Sequence, residues 1–161
     1  MQKRHFLRSA SAAALVVLSA CATTPQPATI ADTAARTSEL STLSRLIADA
    51  GLTATLQGVG PYTVFAPSDE AFKAVPAATL AKLAADKELL KSVLTYHVLP
   101  GKVTSAEVKS GPAKTVQGAS VVLSKAGTFV TIEDAVVVTA DVAATNGVIH
   151  IVDRVLMPPK R

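Results

Sequence analysis

The chain has 161 residues, 49% of them hydrophobic, and 16 Lys and Arg against 12 Asp and Glu give a formal net charge of +4. Three of the cations, Lys3, Arg4 and Arg8, stand in the first eight residues, so the remainder is close to neutral and gives no electrostatic reason to expect nucleic acid as a partner. A single cysteine excludes an intrachain disulfide and any cysteine-based zinc site, and with no tryptophan and 4% aromatic residues the core must be aliphatic.

The first element in chain order is a leader. Lys3, Arg4 and Arg8 precede the uncharged run from Ala10 to Leu18, about half the ~20 residues a spanning helix needs. A positive start, a short apolar run and small residues before Cys21 predict a signal peptide over residues 1–20. Leu18-Ser19-Ala20-Cys21 resembles the lipobox of bacterial lipoprotein precursors, which implies that Cys21 is lipidated and becomes the first mature residue. Lys3-Arg4-His5-Phe6-Leu7-Arg8 resembles a twin-arginine motif with lysine in the first arginine place, so general and twin-arginine export both stay open. Ala22, not aspartate, follows the cysteine, which resembles the outer-membrane sorting pattern and places the expected protein in the cell envelope.

Ala22 to Ala28 is short, polar and proline-bearing, so residues 21–29 are expected to form the lipidated cysteine and a tether, with one domain over 30–159. From Ser38, a candidate N-cap, Leu40, Leu43, Leu46 and Ile47 fall on one helical face until Gly51. Tyr62 to Ala66 reads as a strand, ended by Pro67, with Ser68 or Asp69 capping a helix that carries Phe72. Further helices are predicted after Pro76 and over Lys87 to Thr95. Tyr96 to Leu99 then reads as extended, up to Pro100-Gly101. Beyond Gly111-Pro112 come β-rich runs at 113–116, 119–125, 128–133, 136–142 and 148–156. Asn146-Gly147 suits a tight turn with positive φ at the glycine, making the last two strands neighbours. Helices first and strands afterwards predict an α+β fold rather than alternating βαβ units.

Two stretches are more specific than this pattern. Tyr62-Thr-Val-Phe-Ala-Pro-Ser-Asp-Glu-Ala-Phe72 resembles the first signature of the fasciclin-like domain family, and Asn146-Gly-Val-Ile-His-Ile-Val-Asp-Arg-Val-Leu-Met-Pro158 the second. Leu94-Thr-Tyr-His-Val-Leu-Pro-Gly101 is similar to the family's Tyr-His segment, and Gly118 and Asp141 fall at familiar places. The resemblance implies a wedge of two β-sheets with helices packed on one side, and a role in adhesion or extracellular binding without catalysis. The chain departs from the family at Ile132-Glu133-Asp134-Ala135, where Val-Asn-Gly-Ala is common, and at Leu40, where an aromatic is common.

No catalytic residue and no metal ligand set is expected. His97 and His150 lack the partner spacing of a metal site, and neither a Gly-x-Ser-x-Gly elbow nor a phosphate-cradling glycine loop is present. Asp69-Glu70 and Glu133-Asp134 are neighbours in sequence, whose side chains point apart. The candidate binding residues are Tyr96, His97 and Asp141. His97 reads as a buried, hydrogen-bonded histidine with the Tyr96 ring against the core, and the competing reading makes both a recognition patch. The expected protein is a monomeric, lipid-anchored envelope domain without cofactor. Its partner would be an envelope or extracellular protein or polysaccharide, with a carrier of an apolar ligand such as a carotenoid as the alternative.

Overall fold

The computed structural model describes residues 28–159; the leader, Cys21 and the segment up to Pro27 lie outside that range. The first helix, α1 (Ile30–Arg36), opens on a capping box: the Thr29 hydroxyl accepts from the Asp32 N–H, and the Asp32 carboxylate accepts from the Thr29 N–H. A 3-10 turn at Ser38–Leu40 leads into α2 (Ser41–Asp49). Ser38 does not cap it. That place is taken by Asp69, which accepts from the Thr42 N–H at 2.9 Å and from the Ser41 hydroxyl at 2.6 Å. Leu43 and Ile47 carry the buried stripe, and Gly51 ends the helix at φ +69°. After α3 (Thr53–Gln57) come β1 (Tyr62–Pro67), α4 (Asp69–Lys73) capped by Ser68, α5 (Ala77–Ala85), and α6 (Lys87–Tyr96) capped by Asp86.

The rest is β: β2 (Val98–Pro100), β3 (Gly111–Lys114), β4 (Ser120–Ala126), β5 (Phe129–Ile132), β6 (Ala135–Ala144) and β7 (Gly147–Val152). They form one seven-stranded sheet in the order β2-β1-β7-β6-β5-β4-β3, in which β1 and β7 are parallel and every other pair is antiparallel. This corrects the expected two-sheet wedge. The start of β6 pairs with β5 and the rest with β7, so two halves that could have been separate sheets are continuous. The edges also approach each other, because the Val116 N–H donates to the Val98 carbonyl at 2.8 Å. The sheet is therefore a nearly closed barrel, which leaves little free strand edge.

Alternation along β1 and β7 divides the core. Val64, Ala66, Ile149 and Ile151 face the helices, packing with Ile30, Leu40, Leu43, Ile47, Leu90 and Leu94. Phe65 and Val152 face the barrel interior, with Leu99, Val121, Leu123, Val130 and Ile132. Both central strands are covered on both faces. Nearly continuous apolar runs in exactly these two strands follow from that burial.

Candidate functional site

His97 follows the last residue of α6, one position before β2, and is 2% exposed. Its Nδ1–H donates to the Val93 carbonyl at 2.8 Å, one helical turn back, and its Nε2 accepts the Leu156 N–H at 3.0 Å. The imidazole thus joins the helix end to the C-terminal segment as a neutral ring, one nitrogen donating and the other accepting. Burial pulls its pKa down to about 4, against the opposing pull of the Val93 carbonyl. Tyr96 belongs to α6 rather than to an extended segment, and its ring joins the barrel-side cluster at 4% exposure. Burial, with the charge of Glu133, raises its pKa.

Asp141 lies elsewhere, with its residue exposed on β6 and no hydrogen bond to Tyr96 or His97 among the described residues. Its backbone has φ 59°, and the β6–β7 register slips between Thr139 and Val142, so that Ala140 and Asp141 together face His150. That is a β-bulge, and a bulge leaves a ladder N–H without a strand partner. The side chain of His150 supplies the partner: its Nδ1 accepts the Asp141 N–H at 3.2 Å. Its Nε2–H donates to the Val103 carbonyl at 2.9 Å, and its ring stacks on Phe65 at a centroid distance of 5.3 Å.

The same cluster fixes the loop after β2. Thr63 donates its hydroxyl to the Gly101 carbonyl and accepts the Val103 N–H, both at 2.8 Å. The Asp141 carboxylate accepts the Ser105 N–H at 2.8 Å and the Ser105 hydroxyl. Desolvation works against ionisation of Asp141, but these two bonds hold its pKa below the ordinary carboxylate value. A serine, a histidine and an aspartate therefore meet, but not as a nucleophile relay. Ser105 donates to the carboxylate rather than to an imidazole, and both nitrogens of the buried His150 are already bonded to backbone. Ser105 has no signal in the sequence; Thr63 stands inside the Tyr62–Phe72 stretch and Asp141 at a place singled out by resemblance alone, and neither position announces its hydrogen bonds.

The glycine of Asn146-Gly147 does not have the expected positive φ. What requires glycine is space: a Cβ there would fall on the Tyr62 carbonyl oxygen and 2.8 Å from the Ile30 Cδ1. Asn146 is a hub. Its Oδ1 accepts the Ile30 N–H at 2.9 Å, and its Nδ2 donates to the carbonyls of Leu56 at 2.6 Å and Gly58 at 3.1 Å. It thereby supplies partners to the start of α1 and the end of α3.

Two further features bear on binding. An apolar cavity of about 50 Å³ is lined by Leu43, Ile47, Leu56, Val64, Leu94 and Val98 among others. On the outside of the barrel, Val122 of β4, Phe129 of β5 and Val138 of β6 are 50%, 69% and 64% exposed, with Val136 beside them. No group of three or more His, Cys, Asp or Glu suited to a metal occurs among the described residues, and no helix among them is long and apolar enough to cross a membrane.

The family model for the fasciclin domain matches residues 38–158. Protein sll1483 of Synechocystis is 41% identical over 140 residues, covering 86% of this chain and 78% of that protein. The immunogenic protein MPB70 of Mycobacterium bovis is 38% identical over 135 residues, covering 81% of this chain and 69% of that protein. The cell surface glycolipoprotein MPB83 of the same species has the same identity, and the match spans 60% of its length. Among solved structures, the FAS1 domain pair of the insect cell adhesion molecule fasciclin I superposes with a TM-score of 0.61. That match has 23% identity and covers 75% of this chain and 46% of that one.

Proposed function

The chain belongs to the fasciclin domain family, and from that premise we propose an adhesion or matrix-binding domain held at the bacterial cell envelope by lipid on Cys21. The observation that carries the binding reading is where the chemistry lies. The imidazoles of His97 and His150 and the amide of Asn146 bond inward to backbone, while Val122, Phe129, Val136 and Val138 stand outward on adjacent strands. Exposed apolar side chains gathered on one outer face of a sheet favour an interaction site there. The names of relatives, a cell adhesion molecule and a mycobacterial cell surface glycolipoprotein, support the same reading. The partner is an envelope or extracellular protein or polysaccharide, bound by a monomer without cofactor or catalysis.

Of the three candidate binding residues, Tyr96 and His97 serve by holding the frame, and Asp141 by fixing the loop that carries Ser105. The carrier reading draws on the apolar cavity. Its 50 Å³ is far below the ~300–1,000 Å³ of ligand pockets, so a filled core favours adhesion. A pull-down of the domain from its own envelope fraction tests the proposal: wild type is expected to retain a partner and Phe129→Ser to lose it while melting normally. A folded Phe129→Ser that binds as wild type would overturn this face as the site. For the anchor, Cys21→Ser is expected to move the protein from the membrane to the soluble fraction, since stable attachment rests on the acyl chains.

A further inference from the structure

The described structure begins at Ala28, within the expected tether of residues 21–29, so the place of Ala28 on the domain bears on which end would lie nearest a lipid on Cys21. The Ala28 carbonyl accepts from the Thr145 N–H at 2.9 Å, which ties the entering chain to the β6–β7 turn. Next to Thr145, Asn146 holds the Gly58 carbonyl, and Gly58 opens the loop Gly58-Val59-Gly60-Pro61. The Pro61 carbonyl in turn accepts the Gly101 N–H at 2.8 Å, bringing Pro100 and Lys102 to the same end. Val59 stands there at 106% relative exposure, an apolar side chain with nothing of the described protein over it. Exposed around it are Gln57, Pro61, Pro100, Lys102 and Thr145, with the Glu107 carboxylate near enough to Lys102 to feel its charge. The nearby carboxylate of Asp32 is held by Thr29 in the capping box.

We infer that this pole faces the lipid bilayer, with the Val59 loop in contact with the headgroup and upper acyl region. The inference rests on the proposed lipidation of Cys21. Seven residue steps separate Cys21 from Ala28, at most about 25 Å even when fully extended. A globule of this length has a radius of gyration of about 14 Å and is roughly 36 Å across. The anchored segment is thus shorter than the domain, and the Ala28 pole cannot turn away from the surface that holds Cys21. One valine is too little to hold a domain on a membrane, so the acyl chains hold it and the loop sets its orientation.

The test uses the lipidated full-length chain carrying either Val59→Cys or Asp134→Cys, the latter in the turn at the opposite end of the ten-residue β6 from Thr145. Each variant is labelled with an environment-sensitive fluorophore and reconstituted in phosphatidylethanolamine–phosphatidylglycerol vesicles containing a nitroxide lipid as quencher. The label at position 59 is expected to be quenched and blue-shifted, and the label at 134 to stay as in water. A Gly-Ser insertion after Pro27, several times the native segment in length, is expected to weaken the quenching. If the protein floats with the vesicles while the position-59 label reports water, this inference fails and the anchor stands. Protein that does not float at all overturns the anchor and the inference together.

Discussion

At the residue scale, two side chains carry constraints that unfolding experiments can read. Gly147 pairs with Tyr62 across the parallel β1–β7 ladder, and Ile30 of α1 lies over the same point, so no room is left for a Cβ. The neighbour struck first is a backbone carbonyl, which cannot swing aside. Gly147→Ala, Gly147→Asn and Gly147→Val should all lower stability by about 2 kcal/mol or more, with asparagine no milder than alanine, as urea unfolding would show. A positive-φ requirement would instead have spared asparagine. His97 gives a pH signature. Its pKa is about 4 in the folded state, against the ordinary 6.5 of an exposed imidazole. Between those values the unfolded chain binds a proton that the folded protein does not. Stability is therefore full above pH 6.5 and falls as the pH drops toward 4, by about 3 kcal/mol. Asp32 and Glu107, held low by their bonds to Thr29 and Thr104, add losses only below the ordinary carboxylate range. Melting curves across this window should show the slope in wild type and a flatter line in His97→Gln. An unchanged slope in the variant would assign the effect to another group.

At the element scale, α1 is the surprise. The family match starts at residue 38, yet Ile30, Ala31 and Ala34 lie in the helix-side cluster, and Asn146 reaches across 116 residues to bond the Ile30 N–H. Ile30→Ala is expected to cost about 2–5 kcal/mol by leaving a void under Gly147, and a domain begun at residue 38 should melt lower than one begun at residue 28. Equal melting points would show that α1 is an accessory. The sequence Ile-Ala-Asp-Thr-Ala-Ala-Arg hides this helix, because small alanines supply the packing and no long apolar stripe is present. At five residues, α3 is too short to be stable from its own propensity. By contrast α2 and α6 are legible from leucine-rich stripes at helical spacing, and β1 and the second half from β-branched and aromatic runs bounded by proline, glycine and asparagine. Tyr96 was misread as extended because the last turn of α6 runs without a break into β2. The candidate site was legible only in part. The bond from His97 to Val93 is the i−4 geometry of a helix end, but its bond to Leu156 crosses 59 residues. Likewise, a period-two pattern does not announce the extra residue that brings Asp141 to His150.

At the scale of the whole molecule, the two halves of the core have no independent walls. β1 gives Val64 and Ala66 to the helix side and Phe65 to the barrel side, and β7 gives Ile149 and Ile151 to one and Val152 to the other. Pulling either cluster apart therefore exposes a face of the same two central strands. The hydrogen-bonded seam from Val116 to Val98 and the His97 bridge to Leu156 tie the ends of the chain segments into the same unit. A single cooperative transition is the expected result, as for most domains of this size. The chain contains two tyrosines and no tryptophan, which makes the test direct. Tyr62 packs against the helix-side cluster and Tyr96 lies within the barrel-side one. In Tyr96→Phe the remaining fluorescence of Tyr62 reports the helix side, and in Tyr62→Phe that of Tyr96 reports the barrel. Within each variant the urea midpoint from fluorescence should coincide with that from far-ultraviolet circular dichroism. A Tyr62 transition that precedes the loss of β-structure would mean that the helical layer opens alone, with β1 and β7 keeping their barrel contacts. The shared-strand account of cooperativity would then be wrong.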